Sequence, residues 1–207
     1  GFSVGTYTGN GTDNATVGHG LGGADMVWVK RLNTTGNWRV YEKSSNLDFF
    51  LDLTNAGASP TEIKSTSSTT FTLGSGNGFN GSSDSHVFYA FQSIDGFSKI
   101  SSFTGNGSTD GPFVPTGFEV AWLLIKRASG GTGNWDIFDN QRDPINVADA
   151  VIDADTSAAE ATFSTIKIDL LSNGFKIRGT QSNINNSGDT YIYMAFAETP
   201  FKTANAR

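Results

Sequence analysis

The sequence predicts an all-β protein made of two tandem antiparallel β-sandwich repeats, jelly-roll or lectin-like in type, with little helix. Three observations carry that prediction. Thr8-Gly9-Asn10-Gly11 returns as Thr104-Gly105-Asn106-Gly107, with further matches following in the same order, which marks a duplicated unit. Short apolar runs rich in β-branched and aromatic residues end in charge and then in Gly/Asn turns, the pattern of buried strands. The composition agrees: 25 glycines and only 16% charged residues suit short strands and tight turns, and sixteen phenylalanines supply a core. The duplication sets the repeats at 1–96 and 97–207, each long enough for its own core, or for two halves packed as one unit.

In chain order, Phe2-Ser3 precedes the first copy of the repeated turn and Phe97-Ser98 the second, with Tyr7 answered by Phe103. Next come Met26-Val27-Trp28-Val29, closed by Lys30-Arg31, and Ala121-Trp122-Leu123-Leu124-Ile125, closed by Lys126-Arg127. Gly36-Asn37 and Gly133-Asn134 then supply a turn before Trp38 and Trp135. There side chains alternate, Trp38/Val40 against Arg39/Tyr41 and Trp135/Ile137 against Asp136/Phe138, as on a strand with two unlike faces.

The middles diverge. Residues 45–70 are polar and broken by Pro60, with Leu47, Phe49 and Leu51 alternating as a strand; residues 142–165 are rich in Asp and Ala. Ser157, with Glu160 three residues on, predicts one helical turn to Ala161. Both middles read as exposed, adaptable loops. The ends converge again: Phe71-Thr72-Leu73 pairs with Ile168-Asp169-Leu170, and Asn77-Gly78-Phe79 with Asn173-Gly174-Phe175. The run from Asp84 to Phe91 pairs with the run from Asp189 to Phe196 as the strongest strand signal.

A formal charge of −6 argues against nucleic acid as a partner. The absence of cysteine excludes disulfides, thiol catalysis and Cys-based zinc sites. No apolar run reaches the length of a membrane span, so no membrane insertion is expected. The opening Gly-Phe-Ser reads as the start of a fragment or a mature unit.

Candidate chemistry is sparse. Gly18-His19-Gly20-Leu21-Gly22-Gly23 fits the spacing of a dinucleotide loop, but a strand rather than a helix follows, so it reads as a glycine-rich turn. His19 and His86, the two histidines, read as turn and packing residues rather than as bases of a hydrolytic triad. Asp136, Asp139, Asp143, Asp149, Asp153 and Asp155 cluster in the second repeat, where two carboxyls about 5 to 10 Å apart would serve a glycosidase. The first repeat lacks this cluster, and solvated loop charge is the reading preferred. Asp139, Asp143, Asp149 and Asp153 remain the ligand-binding candidates, and no catalytic or metal residue is assigned.

The Asp/Asn-rich loops at Asp13, Asn14 and Asp110 offer oxygen ligands suited to Ca²⁺, without EF-hand spacing, so no cofactor is expected and Ca²⁺ is the one ion left open. Trp28, Trp38, Trp122 and Trp135, with Tyr41 and Tyr89, are of the kind that stacks on sugar rings. Trp38 and Trp135 recur at one place in each repeat, which speaks for framework packing; a sugar-binding ring is expected to be unshared between the repeats. Asn-x-Ser/Thr triplets at Asn10, Asn14, Asn33, Asn80, Asn106 and Asn185 follow from composition.

Several elements together resemble a domain recurring in tailed-phage tail-fibre-like and other virion structural proteins. They are Phe103-Thr104-Gly105-Asn106-Gly107-Ser108-Thr109-Asp110-Gly111-Pro112-Phe113-Val114, Leu124-Ile125-Lys126-Arg127, Gly133-Asn134-Trp135, Leu171-Ser172-Asn173-Gly174-Phe175-Lys176 and Tyr191-Ile192-Tyr193-Met194-Ala195-Phe196-Ala197. The first repeat matches less tightly, through Tyr7-Thr8-Gly9-Asn10-Gly11 and Trp28-Val29-Lys30. The resemblance implies a non-enzymatic module at the virion surface, extracellular, concerned with assembly and host attachment. It leaves the ligand open; the partners expected are copies of itself or other virion proteins, and a cell-surface glycan is the ligand that the small polar residues of the divergent loops 45–70 and 142–165 would suit. A filament-forming or capsid-decorating subunit without a ligand is the alternative, and a glycan depolymerase a further one.

Overall fold

The computed structural model describes residues 1–199. It divides into two compact units. The first takes Gly1–Asp52 and Gly57–Ser93; the second takes Leu53–Ala56 and the chain from Ile94 onward. The short segment joins the second unit in part through the Thr54 carbonyl, which accepts the Gly133 N–H at 3.0 Å. Residues 200–207 of the second repeat lie outside the described residues.

The first unit comprises β1 (Phe2–Thr8), β2 (Thr16–Gly18), β3 (Met26–Arg31), β4 (Arg39–Glu42), β5 (Leu47–Phe50), β6 (Ile63–Thr66), β7 (Thr70–Leu73), one helical turn α1 (Asn77–Asn80) and β8 (Ser85–Phe91). Its larger sheet runs β1-β8-β3-β4-β5 and its smaller one β2-β7-β6. The second unit comprises β9 (Ser98–Thr104), β10 (Phe113–Pro115), β11 (Val120–Arg127), β12 (Trp135–Asp139), β13 (Ala150–Asp153), β14 (Ala161–Thr162), β15 (Ile168–Leu171), β16 (Gly174–Ile177), α2 (Ser182–Asn185) and β17 (Thr190–Ala197). Its sheets run β14-β13-β12-β11-β17-β9 and β10-β16-β15. The two orders are the same, with β14 added at one edge, and every pairing is antiparallel. The all-β tandem sandwich is therefore what the chain forms.

Alternation puts one side chain in two between the sheets. In the first unit Val27, Val29, Phe88 and Ala90 from the larger sheet meet Ile63, Phe71 and Leu73 from the smaller. In the second, Leu123, Ile125, Phe138, Tyr193 and Ala195 meet Val114, Ile168, Phe175 and Ile177. Each such fully buried Val, Leu, Ile or Phe side chain stabilises its unit by roughly 1.5–3 kcal/mol.

The repeated turn is held from within. Asn80 Oδ1 accepts the Asn10 N–H at 3.0 Å, while its amide donates to the carbonyls of Thr12 and Gly74. Asn185 does the same for Asn106, Ser108 and Gly179. Gly11 and Gly107 have φ of 69° and 70°, where glycine carries no steric penalty. Asn80 and Asn185, both within Asn-x-Ser triplets, are 1% and 0% exposed and closed to glycan attachment.

Five expectations need correction. Residues 157–160 form no helical turn; among the described residues the helical turns are α1 and α2. Ser157 and Glu160 are exposed and have no apolar face to bury. The echo of Asn77-Gly78-Phe79 in Asn173-Gly174-Phe175 is a coincidence, since the first lies in α1 and the second opens β16. Phe71, opposite Val17, corresponds instead to Phe175, opposite Val114, so β7 matches β16 and β6 matches β15. Phe2 lies opposite Phe91, whereas Ser98 lies opposite Phe196, so the strand position of Phe2 is that of Ser98 and not of Phe97. A one-residue slip of this kind sends a side chain to the other face. Finally, the divergent middles are not free loops: residues 45–70 contain β6 besides β5, the strand expected at Leu47 and Phe49, and residues 142–165 contain β13 and β14.

Candidate functional site: an aromatic groove on the first unit

The outer face of the first unit's larger sheet carries rings. Phe2 (β1), Tyr89 and Phe91 (β8) and Trp28 (β3), with Trp38 ahead of β4 and Leu51 behind β5, line an apolar groove of about 410 Å³. Register explains the assembly: Phe2 is opposite Phe91 and Trp28 opposite Tyr89, so strand neighbours on one face place their rings together. Ring centroids lie 5.1 Å apart for Trp28–Phe91, 5.2 Å for Phe2–Phe91 and 5.9 Å for Trp38–Tyr89. All are tilted rather than face to face, as ring quadrupoles prefer. Phe2 is 54% exposed and the other rings are half-buried. Lys30 donates to the Gly36 carbonyl and sits 6.0 Å from the Trp38 ring, which fixes the Trp38 wall.

The second unit does not repeat this surface. The positions of Phe2, Trp28 and Tyr89 are held there by Ser98, Leu124 and Met194. Trp135 is 1% exposed, and Trp122 packs its ring at 5.7 Å from Phe196. The weighed aromatics thus separate. Trp135 and Tyr41 are buried, while Trp28, Trp38 and Tyr89 line the groove. Phe2, Phe91 and Leu51 were not among them; the signal for Phe2 and Phe91 was alternation along β1 and β8, and that for Leu51 its alternation with Leu47 and Phe49.

Among its described residues the second unit carries polar clefts, two of which are well formed. One, of about 220 Å³, is lined by Glu119, Val120, Asn140, Asp143, Pro144, Asn146 and Leu170. The other, of about 480 Å³, is lined by Thr109, Asp110, Val147, Ser164, Lys167 and Arg178.

The candidate aspartates are spread among separate tasks. Burial raises the Asp139 carboxyl, but the Arg142 side chain at 2.6 Å and backbone N–H groups outweigh this and hold it below its ordinary value. Asp143 Oδ2 accepts the N–H groups of Asp149 and Ala150 at 3.0 and 2.8 Å, closing the loop before β13. Asp149 is half-buried and contributes here through its backbone. Asp153 lies opposite Asp136 across β12–β13 and accepts from Asn134 Nδ2 at 2.7 Å. Asp155 accepts the Trp135 N–H at 3.0 Å. Asp136 is fully buried, out of reach of a solvent-borne substrate.

Both histidines bond to backbone. His19 Nδ1 accepts the Leu21 N–H, which leaves Nε2 to donate to the Ser67 carbonyl at 3.3 Å. His86 stacks on Tyr7 at 4.7 Å, and burial lowers its pKa. Gly18-His19-Gly20-Leu21-Gly22-Gly23 joins β2 to β3 with no helix after it. Asp13 pairs with Lys64 at 2.6 Å and Asp110 with Lys176 at 2.7 Å. Among the described residues no group of three or more His, Cys, Asp or Glu is placed to hold a metal ion.

Fold and site together define a tandem sandwich protein, one scaffold used twice, with a ring-lined groove on one copy. The chain belongs to the family described as Domain of unknown function (DUF7483), whose model matches residues 1–200. No curated protein and no solved structure matches it.

Proposed function

We propose that the chain is a non-enzymatic structural and adhesive module of a tailed-phage virion, acting outside the cell. In this reading it assembles with its own copies or with other virion proteins and holds a host-surface glycan in the aromatic groove. The observation that carries the reading is the groove's unshared ring set. The scaffold residues recur in both units, but Phe2, Trp28 and Tyr89 do not, so packing of the common fold does not require them. Exposed rings backed by a rigid sheet suit the C–H faces of pyranose rings, as binding sites are mostly apolar with few polar groups at their rims. The resemblance to virion proteins supplies the setting.

The test replaces the rings with the second unit's own residues, Trp28→Leu with Tyr89→Met, which the same backbone already accommodates. Binding to purified host-surface polysaccharide, followed by tryptophan fluorescence and by pull-down, is expected to weaken at least tenfold while the melting temperature stays within a few degrees. Unchanged binding in the variant, or no binding by the wild type, overturns the reading.

One observation favours the assembly alternative. β1 is an edge strand, and Phe2 and Val4 on it are 54% and 56% exposed, a row open to pairing with another chain. In that case Val4→Lys converts multimers seen by light scattering into monomers.

A further inference from the structure

The edge hairpin β13–β14 of the second unit is lightly attached. β12 meets β13 through Asp136 opposite Asp153 and Ile137 opposite Ile152, and β13 meets β14 through two pairs more. The first rung sets two carboxyls side by side on the core face, because Asp136 alternates with Phe138 and Asp153 with Val151. Asp136 is 0% exposed, and neither of its carboxyl oxygens has a hydrogen-bond partner among the described residues. Asp153 already takes the Asn134 amide. Two carboxyls facing each other bond only when one carries a proton. Burial first, then the charge and hydrogen bond of Asp153 and the charge of Asp155, hold the Asp136 carboxyl well above the usual range, against the pull of Lys126.

The surrounding charges are few. Lys126 of β11 points to the opposite face, where it donates to the Gly133 carbonyl and lies 5.6 Å from the Trp135 ring. Asp155 is bound to the Trp135 N–H. Tyr191 of β17 donates to the Ser182 carbonyl, and α2 carries no charged residue. On the facing sheet Lys176 pairs with Asp110, and Asp169 with Arg178. The first unit has no counterpart: at the equivalent rung Arg39 lies over the Phe50 ring at 3.9 Å.

We propose that Asp136 and Asp153 form a proton clamp: while they share a proton the β13–β14 hairpin stays on β12, and its loss as pH rises sets two carboxylates against each other and releases the hairpin. The sign follows from linkage. A carboxyl that keeps its proton longer when folded contributes fully below the ordinary range near 4, and that contribution is lost as pH rises through its folded value. Release turns β12 into the sheet's edge, with a fresh row of backbone donors and acceptors.

Hydrogen exchange by mass spectrometry on the whole chain tests this from pH 5 to 7.5, with intrinsic rates corrected. The window stops short of about 8, where the desolvated Lys126 gives up its own proton. Protection of residues 150–162 is expected to fall by up to tenfold per pH unit, and that of residues 98–104, in β9 at the other edge of the same sheet, to stay flat. Asp136→Asn and Asp153→Asn are each expected to abolish the slope. A slope that survives in both variants, or its absence in the wild type, overturns the clamp. If Asp136→Asn does not fold, the ¹³C carboxyl shift of Asp136 in the wild type decides: a midpoint in the ordinary aspartate range overturns it. Protection that rises with millimolar Ca²⁺ at fixed pH assigns the pair to a cation and overturns it as well.

Discussion

The side chain of Asn80 in the first unit is bonded as that of Asn185 is in the second: two amide hydrogens go to backbone carbonyls and one oxygen accepts the N–H of the repeated turn. Replacing either by alanine strands three backbone groups at a buried position. Asn80→Ala is expected to cost about 2–4 kcal/mol, because unpaired buried polar groups forfeit their hydration. Urea unfolding checks it, and a loss under 1 kcal/mol would show that water takes over the bonds.

Gly9 and Gly105 are fixed by proximity rather than by φ. A Cβ on Gly9 would run into the Gly81 carbonyl oxygen, and one on Gly105 into that of Asn186. Gly105→Ala is therefore expected to lower the melting temperature by more than 5 °C, an overpacking cost of about 1–3 kcal/mol in a unit this size. Gly36→Ala, where a Cβ meets nothing, is the matched control and should be neutral.

Asp48 gives the first unit its own pH dependence. Burial raises its carboxyl to about 6, despite the N–H groups of Glu62 and Thr61 and the charge of Arg39. The folded form keeps a proton that the unfolded chain has lost, so stability falls as pH rises from about 4 to about 6 and is then flat, by about 2–3 kcal/mol in all. Asp48→Asn should match the wild type near pH 4 and exceed it at pH 7. Equal stability of the two at both pH values would remove Asp48 from the account.

The duplicated ion pairs differ in depth. Side-chain exposures are 10% and 12% for Arg127–Asp189 but 21% and 20% for Arg31–Asp84. Arg127→Met should cost about 2–3 kcal/mol, since it leaves Asp189 without the partner that offsets its desolvation. Arg31→Met should cost distinctly less, and raising the salt concentration should weaken the Arg31 pair more. Denaturation of both variants at two ionic strengths decides the order.

Much of the framework was legible in the sequence because it was written twice. Strand periodicity, turn glycines and the pairing of Asp84–Phe91 with Asp189–Phe196 all survive in the structure as β8 and β17. What misled was local likeness without register: an Asn-Gly-Phe triplet serves a helical turn in one unit and a strand in the other. The divergent middles read as loops because their short strands are half polar. The groove was harder still. Phe2, Trp28, Trp38, Tyr89 and Phe91 are scattered along the chain, and sheet order alone brings them together. Asp136 stood among the clustered aspartates, but its burial and its pairing with Asp153 depend on a register that spacing does not show.

The chain has two methionines, and the fold gives one to each unit. Met26 lies opposite Phe91 on the strand that carries Trp28, and Met194 stands where the other unit has Tyr89. Methyl labelling would therefore yield a two-line spectrum in which one signal sits under the ring currents of the groove and the other serves as an internal reference. A small sugar that enters the groove should shift the first line and leave the second in place, so one titration on the intact chain reports both occupancy and its location.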